Sequence, residues 1–220
     1  MPQRFRFAIP RVADLLFFGD MDAERLFETG ISRMESLGGS AVEIDYRTFM
    51  EAQRLLYEGP FLAERSASIA AVIAGHEDAL HPATRNILET MREWTAQDTF
   101  KAIHRLAELR RDARRLLTGV DFLFLPTTPT IYTVEQIEAE PILLNAQLGT
   151  YTNFANLMSL CGIAVPNGFR TDGLPLGVTI ICEAFGEAKA AAIAGTFHRA
   201  TGLPLGATSA SYPTWSEDRG

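Results

Sequence analysis

Tyr57 and Arg65 place an aromatic hydroxyl and a guanidinium eight residues apart in the stretch YEGPFLAER. A guanidinium fork can take a carboxylate through two parallel charge-assisted hydrogen bonds, and a phenolic hydroxyl can add a third. Along one continuous α-helix that separation is about 80° of rotation and about 12 Å of rise, long for one small ligand. The Gly59-Pro60 pair between them would have to fold the two side chains together. A plainer arrangement is also open: Arg65 on the surface, paired with Glu58 or Glu64, and Tyr57 in the core.

Groups that could do chemistry on a bound acid are scarce. The chain has two lysines, Lys101 and Lys189, and neither lies near a Gly-Ser-Ser run. The triplet GGS at 38–40 is expected in a helix-to-strand turn and has no second serine. His76, His81, His104 and His198 are scattered without metal-ligand spacing, there is no CxxC, and no metal or cofactor is expected. Asp98 with His104, and Glu89 with Glu93, read as neighbours on helix faces rather than catalytic pairs. Thr127, Thr128 and Thr130 follow an apolar strand, where ligands of α/β sheets tend to bind, although turn chemistry explains them equally well. Tyr151 and Asn153 stand where a loop meets a helix, and serve either as pocket residues or as helix-start caps.

Composition narrows the classes. The 220 residues carry a net charge of −7 and a pI near 5.2, with 47% hydrophobic and 21% charged residues. That is the profile of a globular chain with room for a large core. It disfavours nucleic-acid binding, which needs clustered Lys and Arg. The one basic cluster, RLAELRRDARR at 105–115, has helical spacing and reads as a solvated helix face. Cys161 and Cys182 sit in apolar surroundings, which points to buried thiols in a reducing compartment. No signal-peptide core and no apolar run of membrane-spanning length occurs, so a cytoplasmic location is expected.

The elements that must position these residues read as one α/β unit. FRFAIP is a short strand. The segment from Asp20 to Leu37 repeats apolar residues at a period of three to four, is capped by Asp20 or Asp22, and stops at Gly38-Gly39. AVEIDY alternates like a half-buried strand. Residues 48–117 are helical almost throughout, interrupted at Gly59-Pro60 and restarted at HPATRN. DFLFLPTTPT is a strand apolar enough to be buried on both faces. An exposed acidic segment follows, then a helix expected around Thr152 to Leu160. IAVPNGFR and LPLGVTIIC form two strands joined by the TDG turn. An alanine-rich helix closes the fold. The expectation is a sheet of at least five strands with helices packed on it, spanning 1–206, and a loose polar tail at 207–220.

Several separated segments, in order, carry a resemblance. GTYTNFANL, the FLPTTPT strand end and AVPNGFRTDGLPLGVTIIC are similar to the C-terminal part of the amidase signature family. LLYEGPFLAER, YTVEQIEAEPILLNAQLGTYTNF and FRTDGLPLGVT resemble its allophanate hydrolase branch, the amidase of the urea amidolyase pathway. The resemblance runs from about Phe5 to about Gly206. It implies a partial amidase-signature fold, an α/β mixed sheet with helices on both faces. It also implies that Tyr57 and Arg65 match the tyrosine and arginine that hold the allophanate carboxylate, the substrate being a small anionic ureido acid.

The family's chemistry uses a Ser–Ser–Lys triad, in which a lysine deprotonates a middle serine on a cis peptide and that serine activates the nucleophile. Those residues belong to the N-terminal half of the family's domain, and nothing in this chain matches them. The resemblance therefore implies the substrate-binding half of the enzyme, inactive alone, with the catalytic segment arriving on a complementary N-terminal half. A non-catalytic remnant or binding module is the first alternative. Half of another amidase, a biuret-type hydrolase or part of a glutamine amidotransferase, is the second, and it should not need Arg65. Half a sheet leaves open edges, so self-association or pairing with a complementary half is expected.

Overall fold

A computed structural model describes residues 4–57, 59–76, 79–90, 94–206 and 208–210. Most of the expected tail, and the Glu89/Glu93 side chains, lie outside the described residues. Strands β1 (Phe5–Pro10), β2 (Gly39–Ile44), β3 (Phe122–Pro126), β4 (Leu160–Phe169) and β5 (Pro175–Glu183) form one five-stranded sheet in the order β2-β1-β3-β5-β4. β1 runs parallel to β2 and β3, whereas β5 runs antiparallel to β3 and β4. The sheet is mixed, as the family resemblance implies.

Alternation along β3 explains its burial on both faces. Phe122 and Phe124 point to one side, where they meet Phe7 and Phe27; the Phe7–Phe122 and Phe27–Phe124 ring centroids are each 5.8 Å apart. Helices α1 (Met21–Ser36) and α9 (Glu187–Thr201) cover that face through Leu26, Met34, Ala190 and Phe197. Leu123 and Leu125 point the other way, into a core shared with Tyr46, Phe49, Leu109 and Phe154. There the cover is α2 (Arg47–Tyr57), α5 (Ala96–Leu116) and the short α8 (Phe154–Leu157). Helices thus lie on both faces, α1 starting from its Asp20 cap, whose carboxylate accepts the Ala23 N–H at 2.9 Å.

The long helical region resolves into four pieces. Between α2 and α5 lie α3 (Leu62–Ile73) and α4 (Pro82–Thr90). α3 is anchored by buried Leu62, the one buried residue on that helix. α5 opens with a capping box in which Thr95 and Asp98 satisfy each other's backbone N–H groups.

Three local expectations differ from the structure. Gly39 and Ser40 begin β2 rather than a turn. The acidic segment is two short helices, α6 (Val134–Ala139) and α7 (Pro141–Leu148), because Thr133 and Gln136 form a capping box and Pro141 starts the second. The helix expected over Thr152 to Leu160 keeps only four residues. Ser159 takes a left-handed φ of 54°, which turns the chain out of the helix and lets Leu160 open β4.

Among the described residues, no helix is long and apolar enough to cross a membrane.

Candidate functional site

The Gly59-Pro60 break brings Tyr57 and Arg65 together. Tyr57 is the last residue of α2, and Arg65 stands in the first turn of α3. The guanidinium carbon of Arg65 lies 5.7 Å from the centre of the Tyr57 ring, a cation–π distance. The turn depends on glycine: a Cβ on Gly59 would sit 2.7 Å from the Leu55 carbonyl oxygen, where the chain folds back on the end of α2. Tyr57 is 41% exposed, so it is not a core aromatic. Among the described residues no ion pair joins Arg65 to Glu64, and Glu58 lies outside them.

Tyr57 also lines a cavity of about 760 Å³ between α4 and the α6–α7 pair. His81, Asn86, Ile137, Ile142 and Asn145 face it. Arg105 on α5 holds α2, the helix that carries Tyr57, by donating to both carboxylate oxygens of Glu51 at 2.6 and 2.8 Å. The guanidinium of Arg105 holds the Glu51 carboxyl below the usual carboxylate range. The basic cluster is therefore only partly a solvated face. Arg111, Arg114 and Arg115 are exposed, while Arg105 ties α5 to α2 and Arg110 donates to the Leu157 carbonyl at 2.8 Å.

The remaining candidates resolve into structural roles. Tyr151 is fully buried; its hydroxyl accepts the Leu16 N–H at 2.7 Å and donates to the Leu16 carbonyl at 3.0 Å. Asn153 occupies the N-cap position of α8 but makes no side-chain cap bond; it packs directly over Gly149. The Thr127 and Thr179 hydroxyls pair at 2.9 Å, and Thr128 donates to the Thr130 and Leu148 carbonyls. Asp98 is consumed by its capping box and by Lys101 at 3.6 Å, and His104 is exposed. Lys189 pairs with Asp121 at 3.8 Å. Neither lysine lines the cavity. Among the described residues no cluster of His, Cys, Asp and Glu could hold a metal.

A polar clasp at the carboxyl ends of β1 and β3 escaped the sequence reading. Asp20 accepts from Thr130 at 2.8 Å and pairs with Arg170 from the β4–β5 turn. Next to it Asp22 accepts from the Thr171 N–H at 2.8 Å and hydroxyl at 2.6 Å, and from Arg25 at 2.8 Å. The Arg25 guanidinium, then Thr171, hold the Asp22 carboxyl well below the ordinary carboxylate range. All these groups are partnered within the protein, so the clasp fixes the turn onto α1. Asn86 and Asn145 were missed as well; nothing in their local sequence marks either as facing a cavity.

The family model described as Amidase matches residues 2–190. The chain belongs to the amidase family. Within that family it is 36% identical over 180 residues to the urea amidolyase of Saccharomyces cerevisiae and 34% identical over 186 residues to that of Lachancea kluyveri. Those matches cover 81% and 84% of this chain but 10% of each relative. The amidase chain superimposes on Kluyveromyces lactis allophanate hydrolase with a TM-score of 0.86 and 31% identity, over 92% of its own length and 33% of that protein's. A glutamyl-tRNA(Gln) amidotransferase chain from Thermotoga maritima, 20% identical with a TM-score of 0.67, shares the fold over 90% of this chain and 42% of its own. The mixed sheet layered by helices is thus the amidase fold in part.

Proposed function

We propose that this amidase chain is the substrate-binding half of an allophanate hydrolase, holding the carboxylate of a small ureido acid while its amide is hydrolysed and ammonia is released. One observation carries the reading: Tyr57 and Arg65, from two different helices, meet across the Gly59-Pro60 turn, with Tyr57 also on the cavity wall. A guanidinium and a phenol brought together with no carboxylate partner among the described residues suit an external one. Similarity to the urea amidolyases supports the same reading. A branch acting on neutral amides has no use for a cation there.

The chain binds and orients; the nucleophile and its base come from a Ser–Ser–Lys segment outside these residues. Both lysines are engaged elsewhere, Lys101 with Asp98 and Lys189 with Asp121. The test is ammonia release from allophanate by the purified chain, alone and mixed with a separately made N-terminal amidase half. Turnover only in the mixture, reduced about a hundredfold or more by Arg65→Ala, is the expected result. Silence in both, with the chain folded, favours a binding module. Turnover by the chain alone overturns the assignment of the catalytic groups.

A further inference from the structure

The cavity beside Tyr57 holds polar groups that the carboxylate clamp does not use. Asn145, on α7, donates its Nδ2 to the Pro141 carbonyl one turn back at 2.6 Å. That bond fixes the carboxamide and leaves Oδ1 as an acceptor with no donor among the described residues. Across the cavity stands Asn86 on α4, whose side chain makes no hydrogen bond among the described residues. At the start of α4, Nδ1 of His81 accepts the Ala83 N–H at 3.3 Å, so the neutral ring carries its proton on Nε2, as a donor. The apolar part of the wall is Ile87, Ile137 and Ile142. The lining therefore offers both acceptors and donors on an apolar background, as small-ligand sites do.

Resting on the reading of Tyr57 and Arg65 as a carboxylate clamp, we propose that Asn145 is a specificity-determining residue, its Oδ1 accepting the bridging N–H of a ureido acid. A ureido acid differs from a plain acyl anion of the same length in one place: the atom between carboxylate and carbonyl is N–H rather than CH2. An acceptor facing that atom is satisfied by the N–H and left bare by the CH2. A bare acceptor that the bound ligand shuts off from water costs free energy that the matched ligand does not incur. The terminal carboxamide of the ligand presents a C=O and an N–H on one edge, and the Asn86 carboxamide can complete both bonds. Glu138 also lines the cavity and is the competing acceptor.

The test compares allophanate with malonamate, the CH2 isostere, by titration calorimetry on the full chain at mildly alkaline pH, with a complementary amidase half whose nucleophilic serine is replaced by alanine, so that neither ligand is turned over, added in a parallel series. The wild-type chain should favour allophanate by about fivefold to tenfold. Asn145→Leu should bring the two affinities within about twofold of each other, chiefly by weakening allophanate. Arg65→Ala should weaken both ligands alike and preserve their ratio. A merely structural Asn145 would lower both affinities together in the Asn145→Leu variant, and a preserved ratio there overturns the inference. So does a ratio abolished by Glu138→Gln and untouched by Asn145→Leu. Binding of both ligands with no preference overturns the inference alone, whereas binding of neither in both series overturns the carboxylate clamp beneath it.

Discussion

Two buried groups make the residue scale testable. The Tyr151 hydroxyl serves both backbone groups of Leu16, so Tyr151→Phe strands an N–H and a C=O and should cost about 1–3 kcal/mol. Burial pushes the Tyr151 phenol from 10.0 up to about 12, opposed by its Leu16 bond. A raised phenol favours the protonated folded state, so its contribution is complete below pH 10.0 and is lost as pH rises toward about 12. Urea midpoints across that window should fall more steeply for the wild type than for Tyr151→Phe; parallel curves would refute the assignment. Cys161 and Cys182 are direct cross-strand partners on β4 and β5. Burial, and then the neighbouring Cys161, push the Cys182 thiol up to about 11. Half-buried Cys161 should therefore be alkylated first by iodoacetamide, with Cys182 modified only on unfolding. Equal rates by peptide mass spectrometry would contradict this.

At the scale of elements, the α2–α3 joint does most to shape the candidate site. Gly59→Ala forces a Cβ against the Leu55 carbonyl, 2.7 Å away, and backbone cannot yield as a side-chain tip does. It should lower stability by about 1–3 kcal/mol and weaken carboxylate binding through Tyr57 and Arg65. A variant that melts lower yet binds malonamate unchanged would separate the joint from the site. This joint was legible in the sequence because Gly-Pro is a local signal, and its bending of the helix is what makes an eight-residue spacing short in space. The strands were legible for a similar reason: FLFLP is apolar throughout and is buried on both faces, and FRFAIP is a short apolar run closed by Pro10. Asn86 and Asn145 were not legible, since they line one cavity only because the fold brings α4 and α7, far apart in sequence, to its walls. The Asp20–Arg170 clasp joins residues 150 positions apart, a distance that no local pattern encodes. The four-residue α8 was overestimated because its termination rests on the left-handed Ser159, which has no glycine to announce it.

The whole molecule presents two sheet edges among the described residues, β2 and β4, and they are not equally defended. β4 carries Pro166 and an irregularity between Pro166 and Gly168, devices that discourage a new strand from pairing. β2 reads GSAVEI, with neither proline nor lysine, and its one charge is Glu43. Large apolar side chains elsewhere are also open to solvent: Phe185 is 95% exposed and Val72 77%. An undefended edge offers unpaired N–H and C=O groups to any extended chain, including a second copy. We therefore expect the isolated chain to self-associate as its concentration rises, and a complementary amidase half to suppress that association by taking the same surfaces. Light scattering after size exclusion would report it. Ser40→Lys puts a charge on an exposed position of β2 without touching the core, and should shift the chain toward monomer while leaving its melting temperature within a few degrees. If the wild type is monomeric at every concentration and melts in one cooperative step, the five strands form a self-sufficient sheet. If it associates but Ser40→Lys does not relieve it, the contact lies away from β2, and the exposed apolar side chains become the surface to substitute next.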